Sequence, residues 1–129
     1  MYSFTASGHE NLLATHRTTL EFTKDGHLTK RGDCILGINA AFSLEEIKKQ
    51  HFKKIKIIIT TGSATDELTA EYNPTFNHPT EMVIRMSRFI DSRTFAINAE
   101  KAAKHIKREL VDALKDPKKI CIISVEHTN

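Results

Sequence analysis

The chain has 129 residues, 40% hydrophobic and 27% charged, with a net charge of +3, a composition that fits one soluble domain over 1–129 and leaves no tract for long disorder. No stretch approaches the roughly 18 unbroken apolar residues of a membrane helix, and the opening MYSFTASGHENLL lacks the basic start and apolar centre of a secretion signal, so a cytoplasmic protein with no membrane partner is expected. Residues 1–64 carry 9 Lys and Arg against 6 Asp and Glu, and residues 65–129 carry 10 of each, a mild bias that permits a polyanion partner without requiring one.

In chain order, YSFTAS opens as a weak strand candidate, and HRTTLEFT at 16–23 alternates with period two. That period predicts His16, Thr18, Leu20 and Phe22 on the inward face and Arg17, Thr19, Glu21 and Thr23 on the other. KDG at 24–26 is a turn signal, and CILGIN at 34–39 is the next strand, with Gly37 pointing to a bulge or a close approach. SLEE from Ser43 is a capping box, predicting a short helix to Phe52. KIKIIITT (54–61), ELTAEYN (67–73), EMVIRM (81–86) and KKICIISVE (118–126) are further strands, about seven in all. From Asn98, an apolar stripe of Ala99, Ala102, Ala103, Ile106, Leu110 and Leu114 predicts one long helix closed by Asp116 and Pro117. Helices and strands do not alternate regularly. The expected class is therefore mainly β with two helices (α+β), an antiparallel β-sandwich or barrel.

Three clusters could carry chemistry. In HLTKRGDCILGINA, Arg31, Gly32 and Asp33 sit in a turn at the mouth of a strand, where a scaffold presents functional loops; the plainer reading is turn geometry alone. Cys34 starts an apolar row with Leu36 and Ile38, which argues for an inert core thiol rather than a nucleophile. With Cys121 it makes only two cysteines, too far apart for a zinc ribbon or a redox pair.

In GHENLLATHRTT, His9 and His16 are seven apart with no third ligand nearby, so no metal set is expected. His16 and Thr18, on the inward row, either satisfy one another in the core or line a polar cavity. In VIRMSRFIDSRT, Arg85, Arg88 and Arg93 either form an anion site or are paired with Asp91 and Glu81. GxxxxGK[ST], GxGxxG and GxSxG are absent, and the sequence names no cofactor.

The blocks GHENLLATHRTTLEFT, LTKRGDCILGINA, VIRMSRFIDSRTF and AEKAAKHIKREL resemble the hallmark segments of a small, mainly archaeal family catalogued as a domain of unknown function. The match runs from about Gly8 to Leu114. The resemblance implies a compact fold rich in β-strands, similar to a jelly roll, in an archaeal cytosolic protein. It also implies that a shared function lies among His9, Asn11, His16, Thr18, Arg31, Asp33, Cys34, Arg85, Arg93 and Lys101. It supplies no substrate.

Together these readings lead to a small protein, binding or catalytic, that takes an anionic, phosphorylated small molecule. His9, Asn11, Thr18, Arg31, Arg85 and Arg93 would hold the ligand, and His16 and Asp33 would transfer protons. The alternative is an RNA-associated or protein-interaction module using Lys48, Lys49, Lys53, Lys54 and Lys56 with the basic face KHIKRE at 104–109. A structural subunit, marked by a large exposed apolar patch, is the third.

Overall fold

In the computed structural model, which describes residues 1–129, the stretches rich in Ile, Val and Thr form strands, because branched side chains pack well on a pleated surface. The elements are β1 (Tyr2–Ser7), β2 (Thr19–Thr23), β3 (Ile35–Gly37), α1 (Leu44–Lys49), β4 (Lys54–Thr61), β5 (Ala64–Tyr72), β6 (Glu81–Arg85), β7 (Thr94–Ile97), α2 (Arg108–Ala113) and β8 (Ile120–His127). They make one eight-stranded sheet in the order β1-β8-β4-β5-β7-β6-β2-β3. The mainly β class with two helices is as expected. The sheet is mixed rather than wholly antiparallel, because β2 with β3 and β6 with β7 run parallel.

The sheet is open, yet it curls until its outer strands touch. Ser7 and the residue after β3, Ile38, exchange two backbone hydrogen bonds of 2.7 and 2.9 Å. Gly37 is what allows this: a Cβ there would lie 2.7 Å from the Ala6 Cβ. Inside the curl, 34 buried residues form one hydrophobic cluster. Phe4 packs edge-on against Phe22 and Phe42, and Phe95 against Phe76 and Tyr72.

Several expectations need correction. The Ser43 hydroxyl accepts the Glu46 N–H at 3.2 Å, but the Ser43 N–H goes to the Tyr2 hydroxyl at 2.7 Å, so only half the capping box forms. α1 ends at Lys49, because His51 just beyond it takes a left-handed φ of 53°. The long helix is broken. Residues 98–100 spend their N–H groups on Ser87, Arg85 and Thr69 carbonyls, a 3₁₀ turn covers Ala103–His105, and Ile106 is extended before α2. Arg108 holds the break, donating to the carbonyls of Ala14, Ala103 and Ile106. The apolar stripe is nonetheless buried throughout; tertiary packing outweighed helix propensity while keeping the same residues inside.

β7 went unrecognised, because three of its four residues are buried and no alternation marks it. β2 begins only at Thr19, so Thr18 is exposed and His16 half-buried, not members of an inward row. Leu20 and Phe22 are buried as expected, but so are Glu21 and Thr23. Cys34 lies outside β3, half-buried and pointed at Glu21, rather than heading the Leu36 and Ile38 row.

Candidate functional site

Two adjoining polar regions lie on β2, β3, β6 and β7. The first is assembled by main-chain bonds: the N–H groups of Thr15 and His16 both donate to the Asp33 carbonyl, at 2.8 and 3.1 Å. This ties the segment leading into β2 to the turn leading into β3. The His16 Nδ1 accepts from the N–H of Thr18 at 3.2 Å and of Thr19 at 3.1 Å, and the Thr19 hydroxyl lies 3.0 Å from it. An Nδ1 that accepts amide hydrogens carries no proton, so the ring proton sits on Nε2, free to donate. The Lys104 N–H donates to the His16 carbonyl at 3.0 Å.

Thr15, His16, Arg17, Thr18 and Asp33 line a shallow depression of about 460 Å³. Neither the Arg17 guanidinium nor the Asp33 carboxylate has a hydrogen bond or ion pair elsewhere. His16 and Asp33 are thus brought together, with Thr18 beside them.

The second region is a charged network on the outer side of β2, β6 and β7. The register pairs Thr19 with Arg85, Glu21 with Val83 and Thr23 with Glu81, so the side chains of Arg85, Glu21 and Glu81 project to one face. Arg85 is buried. Its Nε donates to the Thr94 hydroxyl at 2.8 Å and its guanidinium pairs with Asp91 at 3.3 Å. Arg93 pairs with Glu81 at 3.4 Å and with Asp91 at 3.5 Å, and His78 reaches Glu81 at 3.5 Å.

Burial raises Asp91, but the Thr94 hydroxyl and the Arg85 and Arg93 guanidiniums outweigh it and hold the carboxyl below its ordinary range. Glu21 runs the other way: burial, then the Glu81 charge, push it up to about 7. The Cys34 thiol donates to it at 3.6 Å and is itself pushed up to about 12, by burial first and then Glu21. A thiol held protonated in this way is no nucleophile.

The other residues singled out in the sequence lie apart from the depression. The His9 Nδ1 accepts the Asn11 N–H at 2.9 Å, the Asn11 side chain donates to the Leu28 carbonyl at 2.9 Å, and the His9 N–H goes to Leu114 at the end of α2. Arg31 is exposed on its turn without a bond partner. Lys101 meets the buried Asp66 carboxylate at 2.6 Å, and that carboxylate also accepts the Lys107 N–H at the start of α2.

A family model described as "Domain of unknown function (DUF371)" matches residues 4–127. The chain belongs to that family. Among its DUF371-type relatives is the uncharacterized protein MJ0206 of the archaeon Methanocaldococcus jannaschii, 46% identical over 123 residues that cover 89% of this chain and 91% of the relative. No helix in this family member is long and apolar enough to cross a membrane, and no three His, Cys, Asp or Glu side chains group as a metal set.

Sequence reasoning missed Glu21, Thr94 and Arg17, whereas Glu81 and Asp91 pair with the arginines as one of its two readings has it. Alternation places Glu21 and Arg17 together on the face away from Leu20 and Phe22. The strand TLEFT alternates polar with apolar residues, so no signal within it marks Glu21 as buried.

Proposed function

We propose that the chain binds a small phosphorylated anion in the depression formed by residues 15–18 and Asp33. Arg17, the His16 Nε2–H and the hydroxyls of Thr15 and Thr18 are the donors. The observation that carries this reading is that His16 and Asp33, distant along the chain, are joined through backbone bonds beside a guanidinium with no other partner. A planar fork and a ring N–H suit phosphate oxygens.

Arg85 and Arg93 are neutralised by Asp91 and Glu81, so they support the neighbouring strands rather than hold the ligand. Where turnover accompanies binding, His16 donates the proton and Asp33 accepts it.

Calorimetric titration with inorganic pyrophosphate at low salt tests the proposal. Each charge-assisted hydrogen bond is worth about 1.5–3 kcal/mol, so Arg17→Ala and His16→Gln should each weaken binding roughly 10-fold or more. Absence of binding by the wild type, or binding by either variant as tight as the wild type's, would overturn it.

A further inference from the structure

Of the exposed large hydrophobic side chains, three crowd the loop at 86–90: Met86, Phe89 and Ile90, with Phe89 59% exposed. An exposed aromatic at a loop tip is ordinarily free to move; this one is pinned. Its ring covers the Arg85 guanidinium at 4.9 Å from the centroid, and Arg85 is fixed in turn by Thr94 and Asp91. The loop is tied down as well, since the Met86 N–H donates to the Thr18 carbonyl at 3.0 Å and the Asn98 N–H to the Ser87 carbonyl at 3.0 Å. The first of these bonds sets the loop on the rim of the depression lined by residues 15–18 and Asp33.

The charges at this end are unequal. Arg17, Arg88 and the Lys104 side chain have no acidic partner; of the carboxylates, Asp91 is bonded to Arg85 and Arg93, while Asp33 is unpaired and Glu100 keeps its charge as it accepts the Thr69 N–H, so the three free cations outnumber the two free anions. Exposed cations around an aromatic face are the elements of a single-strand platform: the cations track phosphates and a base stacks on the ring.

We infer that the phosphate bound in the depression belongs to single-stranded RNA, with a base of that strand lying on Phe89. The inference rests on the anion-binding reading above and extends it. Two features favour this occupant over others. A ring set over a guanidinium and more than half exposed leaves area on which a base can stack, where a lipid anchor would project its tip. The row of Met86, Phe89 and Ile90 is open, and a lone nucleotide would be expected in a concave site that encloses it, whereas a strand can cross an open surface.

The test measures fluorescence anisotropy of a labelled oligoadenylate RNA of about ten nucleotides, a length within the range of small single-strand sites. Pyrophosphate titration runs alongside on the same proteins, and thermal melts check folding. The wild type should bind the RNA, more weakly as salt rises from about 50 to about 200 mM, because bound phosphates release counterions. Phe89→Ala and Phe89→Leu should each weaken RNA binding about 5-fold or more while leaving pyrophosphate binding unchanged, and Arg17→Ala should weaken both.

Failure of the wild type to bind pyrophosphate would remove the underlying reading. Pyrophosphate binding without RNA binding, RNA binding indifferent to Phe89, full retention by Phe89→Leu, or equal competition by adenosine monophosphate would overturn the inference alone. Flotation with phosphatidylglycerol vesicles in place of RNA binding would overturn it in favour of a membrane surface.

Discussion

Along β5 every second residue from Ala64 to Tyr72 is buried and those between face solvent, and β4 and β8 follow the same rhythm. Along β2, by contrast, Leu20, Glu21, Phe22 and Thr23 are all buried, and β6 buries Met82, Val83, Ile84 and Arg85 in succession. The first half of the sheet has one covered face, and its outer surface of Ser3, Thr5, Ile120, Ile122 and Ser124 is left to water or half-covered. The second half is covered on both faces. Charges buried under the second cover must find partners: Arg85 takes Asp91 and the Thr94 hydroxyl, Glu21 takes the Cys34 thiol, and Arg93 joins Asp91 to Glu81 at the half-exposed rim. The charged network lies in the half of the sheet where alternation fails.

Four substitutions break or sharpen that contrast. Arg85→Met should cost the most, about 3 kcal/mol in urea unfolding, because it removes the buried guanidinium that balances Asp91 and leaves that carboxylate with only Arg93 and the Thr94 hydroxyl. Glu21→Gln should act through pH. Its folded pKa of about 7 lies above the ordinary glutamate value of 4.5, so the native state holds a proton that the unfolded chain has already released. Wild-type stability should therefore fall by an amount on the order of 3 kcal/mol as pH rises from about 4.5 to about 7. The glutamine variant should lack that decline and be the more stable protein at pH 8.

In the regular half, Asp66 is the exception, a buried carboxylate on the inward row of β5. Burial raises it, but Lys101 and the N–H groups of Lys107 and Glu67 together hold it below its usual range. Asp66→Asn should cost about 2 kcal/mol, a difference that shrinks as acid protonates the wild-type carboxyl. Lys56→Ala, which removes an exposed pair with Glu67 at 3.3 Å, should change stability by less than about 0.5 kcal/mol. A Lys56 effect as large as that of Arg85 would erase the distinction between the two halves.

The same contrast explains what could be read from the residues alone. β4 was legible to both ends, since KIKIIITT alternates and a glycine turn follows it. The stripe from Ala99 to Leu114 was legible as core but not as conformation, because a buried stripe does not reveal that Arg108 will cap carbonyls inside it. Glu21 was assigned to water because period two assumes one solvated face, and nothing within 16–23 shows that neighbouring strands and loops cover the other. The RGDC turn was visible as a candidate, yet its link to His16 runs through backbone N–H groups, which every residue possesses and no sequence pattern marks. Arg85 and Arg93 were read as either anion ligands or partners of Asp91 and Glu81; the contacts observed are the second kind.

The most direct measurement is a two-dimensional 15N–1H NMR titration of the intact chain with inorganic pyrophosphate at low salt. Shifts concentrated on the amides of residues 15–18 and Asp33, extending to Met86 through its bond to Thr18 and leaving residues 48–56 unmoved, are expected. Shifts centred on Lys48, Lys53 and Lys54, or none anywhere, would contradict the assignment of the anion site to the doubly covered half of the sheet.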